Sequence, residues 1–80
     1  MNKSNRLEMM AISAEAEVQQ NEKYLQASIQ QMIELLQEKD LTDIAFFNAY
    51  IVQAEDIRRF ANNVMSAKRV CEALKVAMGE

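Results

Sequence analysis

The second half of the chain carries the clearest pattern, an unbroken row of apolar positions separated by alternating steps of four and three. Gln53 is the one amide in this row. The row consists of Phe46, Tyr50, Gln53, Ile57, Phe60, Val64, Ala67, Cys71, Leu74 and Met78. Such spacing is typical of a helix that lies along other helices at a shallow angle. It predicts a helix over about residues 43–78,.

The first half predicts a helix of similar length, over about residues 5–38,. Asn5 followed by Glu8 resembles a capping box at its start, and Ser4 is an alternative cap,. We assign to its buried face Leu7, Ala11, Ala14, Val18, Leu25, Ile29, Met32 and Leu36. Spacings of eleven residues within this set predict a nearly straight helix. Asn21 lies on the same face, so either the helix continues through a polar layer, or it breaks there and its front part folds back as a third helix.

A short connection at about residues 39–43 separates the two predicted helices, and Asp40 or Thr42 can cap the second one,. A link of roughly two to five residues makes consecutive helices antiparallel neighbours. The chain contains no proline and a single glycine, Gly79, so it offers few breaks for other elements,. We therefore predict one all-α domain over residues 1–80, built as a long antiparallel two-helix hairpin.

The second helix has more apolar surface than one neighbouring helix can cover. A second row beside the first consists of Phe47, Ile51, Ala54, Ala61 and Met65, with Arg58 in its gap, and Ile44 and Val52 add width at its start. A helix that covers a core needs an apolar stripe only about 100° wide. Because burying each large apolar side chain stabilises by about 1.5–3 kcal/mol, we expect this row, together with Ile44, to be a partner or oligomer interface. Dimerisation, or a partner's helices, would then complete a four-helix bundle.

The residue types that most enzymes and metal sites need are scarce. The chain has no histidine and a single cysteine, Cys71, which excludes a disulfide within the chain and argues against a Cys/His metal site,. Cys71 lies in the apolar row, where a thiol is typically structural. We find no glycine-rich loop and no nucleophile beside an activating base. We expect no catalytic residues, no cofactor and no metal.

The formal net charge of −3 argues against nucleic acid as the main partner,. The second helix nevertheless contains five basic residues, Arg58, Arg59, Lys68, Arg69 and Lys75. Acidic residues are interleaved with them and dilute their field. A dimeric regulator that binds nucleic acid through these five side chains remains the alternative hypothesis.

No segment resembles a signal peptide, and the longest apolar run, residues 44–52, is far short of the roughly 20 residues that span a bilayer,. We therefore expect a cytoplasmic protein with no membrane contact. The most direct functional prediction is a small adaptor, chaperone or inhibitor that binds a partner protein, or a second copy, through the broad apolar face of the second helix.

Overall fold

The computed structural model describes residues 3–79, with side chains from Asn5 onward, and this part of the chain contains two helices and no strand. Helix α1 spans Lys3–Gln37 and helix α2 spans Ile44–Ala77. They pack side by side as an antiparallel hairpin measuring 61 × 18 × 14 Å. The predicted all-α hairpin is confirmed. Helix α1 is continuous through Asn21, so the predicted alternative with a third helix is wrong.

Polar side chains close the turn between the helices. Asp40 accepts hydrogen bonds from the hydroxyl of Thr42 at 2.6 Å and from its backbone N–H at 3.0 Å. These two bonds, the hydroxyl first, hold the pKa of the Asp40 carboxyl below its ordinary value,. Asp43 has extended backbone geometry and accepts a hydrogen bond from the N–H of Ala45 at 2.9 Å. The cap of α2 is therefore Asp43, and neither Asp40 nor Thr42 as predicted.

The outer ends of the helices meet at the open end of the hairpin. Ser4 and Asn5 lie inside α1, so neither of them caps the helix as predicted. At the other terminus, Met78 donates its backbone N–H to the carbonyl of Leu74 at 2.9 Å, and Gly79 follows with φ +83°. Glycine adopts this left-handed geometry without steric strain, which suits it to the position just after a helix.

The contact seam of α2 follows the predicted row, with Val64, Ala67 and Leu74 buried, although Tyr50 near the turn remains 43% exposed. The seam of α1 differs from the prediction beyond Leu25. Ile29 and Leu36 remain 42% and 43% exposed, whereas Ser28 is buried. The observed seam continues in steps of four and three as Leu7, Ala11, Ala14, Val18, Asn21, Leu25, Ser28, Met32 and Leu35. The eleven-residue repeat is therefore wrong, because two matching heptad rows pack better against each other.

The polar side chains of the two seams form different kinds of hydrogen bond. Asn21 donates from its side-chain amide to the carbonyl of Glu17 at 2.8 Å, within its own helix. Gln53 donates from Nε2 to the carbonyl of Ser28 at 2.9 Å and so links the two helices. The bond joins residues 25 positions apart in the chain, so it favours the observed register of the two helices.

Replacing Gln53 with alanine should lower the free energy of unfolding by about 1 kcal/mol, since a buried hydrogen bond contributes about that much. Gln30→Ala, on the exposed surface of α1, is the matched control and should change stability by less than about 0.5 kcal/mol,. Urea unfolding followed by circular dichroism compares the two. Equal effects would show that the link to Ser28 contributes nothing to stability.

The hairpin has a thin core and a large surface for its mass. Its radius of gyration is 18.0 Å, against about 12 Å for a compact domain of this length,. Its accessible surface is 6259 Å², against about 4,900 Å² for a compact globular protein of 9.2 kDa,. Among the described residues, the buried apolar side chains are Ala14, Val64, Ala67 and Leu74, and none of them is fully enclosed. A large apolar area therefore remains outside the hairpin's own core.

Candidate protein-interaction face

The heptad register places the flanking residues of both helices on shared sides of the hairpin. With seam residues at positions a and d, Glu22 and Lys68 both occupy position e, and their charged groups lie 3.8 Å apart. A shallow groove of about 440 Å³ beside this ion pair is lined by positions a, b and e of both helices. Positions e and b of α1 and α2 therefore form one continuous surface, which we call the common face.

The half of the common face nearest the turn is apolar. We call this surface the apolar half, and its members are Ile29, Ile33, Leu36, Ile44, Phe47, Ile51, Ala54, Ala61 and Met65. All seven of its large side chains are strongly exposed in the hairpin. Arg58 is the only basic residue among them, and its guanidinium donates to Glu55 Oε2 at 2.8 Å, pointing toward the outer surface of α2. The six apolar residues of α2 were predicted from sequence as an interface.

Sequence reasoning missed the contribution of α1 to this surface. It assigned Ile29 and Leu36 to the buried seam and did not single out Ile33. A signal was available, because the row from Leu7 to Val18 continues in heptad steps through Asn21 and Ser28. Following that row regardless of polarity moves Ile29 and Leu36 to position e, on the same side as Phe47. The apolar surface therefore spans both helices.

The half of the common face nearest the open end is charged, and its charges are sorted by helix. Glu8, Glu15 and Glu22 occupy the three e positions of α1, and Lys68 and Lys75 occupy those of α2. We call these five residues the charged half. Ile12, which is exposed, lies one row further out at position b, as do Gln19 and Glu72. The α1 edge is thus acidic where it borders the seam, and the α2 edge is basic.

The opposite side of the hairpin, formed by positions c and g, is mainly polar near the middle of its length. Tyr24 stacks on Phe60 there, with ring centroids 5.5 Å apart, and the guanidinium of Arg59 lies 5.0 Å from the Phe60 ring. Arg59 also donates to Asp56 at 3.1 Å. These contacts cover Phe60 within the chain, whereas Met10, Val52 and Val70, nearer the two ends of the same side, remain exposed as separate residues.

The five basic residues predicted as nucleic-acid contacts do not form one patch. Arg58, Arg59 and Lys68 each lie within 4.0 Å of a carboxylate, on Glu55, Asp56 and Glu22 respectively. The hydrogen bond from Arg58 to Glu55, with the carboxylate's charge, raises the pKa of that guanidinium. Arg69 points outward at position f, whereas Lys75 lies on the common face. Phosphate binding would have to compete with these ion pairs.

Cys71 lies half-buried on the seam, where it lines the groove of the charged half. Residues 3–79 contain no cluster of three or more histidine, cysteine, aspartate or glutamate side chains that could hold a metal ion. Neither α1 nor α2, over the same residues, is long and apolar enough to cross a bilayer.

Comparisons with protein-family models, with curated proteins and with solved structures found no match to this chain. The common face is therefore interpreted from its own residues, and its apolar half is the feature that most needs a function.

Proposed function

We propose that this chain is a protein–protein interaction module, an adaptor, chaperone or inhibitor that binds helices of a partner against its common face. The observation that supports this most is the apolar half, a surface supplied by both helices and left uncovered by the hairpin. Contiguous apolar surface of this kind marks interaction sites on proteins. It spans about half the length of a molecule 61 Å long, so its outline of roughly 550 Å² is at the large end of the apolar patches found on monomers, which are often functional.

The shape of the common face favours helices as the bound elements. Two antiparallel helices leave a shallow lengthwise groove between them, and ridges of side chains on another helix pack into such grooves. Two added helices would complete a four-helix bundle, in which positions e and b of α1 and α2 become interior. Phe47 is the expected anchor, because aromatic side chains dominate the binding energy of many interfaces.

Photo-cross-linking tests this proposal with two matched positions. Phe47 on the common face and Tyr24 on the opposite side are both aromatic, and they are 44% and 48% exposed. Benzoylphenylalanine at position 47 should form covalent adducts with a bound polypeptide in cells, and the same residue at position 24 should form few or none. Equal yields at both positions, or no adduct at position 47, would contradict the proposal.

A further inference from the structure

We propose that the partner is a second copy of this chain, packed with its common face on the first, with both turns at the same end of the bundle. This inference rests on the proposed function and names the partner. In this arrangement a two-fold axis runs along the bundle, so α1 of each copy lies antiparallel against α2 of the other. Interfaces built from one patch on both subunits are the usual form of a homodimer.

The apolar half favours this arrangement over its alternatives. With both turns at the same end, each apolar half covers the other. Turning one copy end for end, with full overlap, would place Phe47 and Ile51 against lysine and glutamate side chains, which would lose their solvation without gaining partners. Sliding the reversed copy until only the apolar halves overlap would keep the charged halves in solvent but bury only about half of each common face.

The charged half carries the same conclusion independently. With both turns at one end, the acidic α1 edge of one copy, Glu8, Glu15 and Glu22, lies along the basic α2 edge of the other, Lys68 and Lys75. Facing α1 against α1 requires one copy to be turned end for end, and with full overlap these glutamates would then lie against the apolar half of the other copy,. Complementary charge at a surface fixes the register of two partners and suppresses wrong arrangements. The sorting of charge by helix therefore specifies which helix meets which.

The available area is sufficient for a stable dimer. The outline of the common face, 61 × 18 Å, is roughly 1,100 Å², so two copies would bury on the order of 2,200 Å², above the ~1,600 Å² of a standard stable interface. Partial overlap of the apolar halves alone would bury about half as much, near the lower limit of specific interfaces.

Lysine cross-linking of the unmodified protein tests the arrangement. Lys39 lies exposed in the turn, and Lys75 lies near the open end, about 50 Å away along the hairpin,. A short amine-reactive cross-linker applied to the purified protein should join Lys39 of one copy to Lys39 of the other. This product is necessarily intermolecular, because each chain has one Lys39. Peptide mass spectrometry identifies it directly.

The outcomes separate the two proposals. Links from Lys39 to Lys68 or Lys75 would come from a second copy turned end for end and would overturn the arrangement. A monomer at every concentration, with no Lys39–Lys39 product, would overturn the second copy as partner. If benzoylphenylalanine at position 47 still captured another protein in that case, the proposed function would stand while this inference fell.

Discussion

Replacing Ile51 with aspartate is expected to convert the assembled protein to a monomer, weakening association by at least roughly 100-fold. Ile51 lies in the apolar half, where assembly would bury the new carboxylate without a partner charge. An unpaired buried charge is destabilising by several kcal/mol. Because assembly also stabilises each folded chain, the variant should melt at a lower temperature that no longer depends on protein concentration.

Val52→Asp is the matched control, since the two residues are neighbours in sequence and point to different sides of α2. Both are apolar and β-branched, and they are 59% and 62% exposed in the hairpin. Val52→Asp should leave the association constant within about threefold of the unchanged protein. Sedimentation equilibrium measures both variants. If Ile51→Asp associated as tightly as Val52→Asp, the apolar half would not be the interface.

Replacing Leu74 with alanine is expected to lower the free energy of unfolding by about 2–4 kcal/mol, the range for removing a buried leucine side chain. Leu74 is the one large aliphatic side chain besides Val64 that the described hairpin buries. With a core this thin, the loss is a large fraction of the stability of a small domain. We expect the helical circular dichroism signal to fall at 37 °C.

Val76→Ala provides the comparison for Leu74→Ala, because Val76 is an exposed apolar residue two positions away on the same helix. Its replacement should change stability by less than about 0.5 kcal/mol. Thermal and urea unfolding measure the stability of both variants. A Leu74→Ala protein as stable as Val76→Ala would mean that the seam at the open end does not hold the helices together.

The architecture was predictable because the row of α2 keeps its steps of four and three from Phe46 to Met78, with Gln53 as its one polar residue. That row identifies the face of α2 toward α1, and the short link at residues 38–43 leaves an antiparallel neighbour as the simple solution. The apolar residues beside the row then stand out as surplus. The α2 part of the apolar half, from Ile44 to Met65, was found in this way, and the structure leaves it exposed.

The register of α1 was less predictable, because its seam includes two polar residues, Asn21 and Ser28. Ranking positions by hydrophobicity selects Ile29 rather than Ser28 as the seam residue. The same shift of one residue then selects Leu36 rather than Leu35. The fit against α2 decides otherwise, since Gln53 bonds the Ser28 carbonyl and the heptad steps of the two helices match. This error of one position concealed the α1 share of the common face.

The choice of cap could not be made from sequence, because Asp40, Thr42 and Asp43 are all good capping residues within four positions,. The turn geometry decides it, since Asp40 and Thr42 bond each other and leave Asp43 to cap α2. The sorted charges of Glu8, Glu15, Glu22, Lys68 and Lys75 are visible in sequence only after both registers are known.

The solution mass of the purified protein, measured by light scattering over a concentration series, tests the central claim most directly. We predict a dimer of twice 9.2 kDa that dissociates only on dilution, with its thermal stability falling as it does so. A particle of 9.2 kDa at every concentration, with unchanged helix content and stability, would contradict the claim that the common face pairs with a second copy.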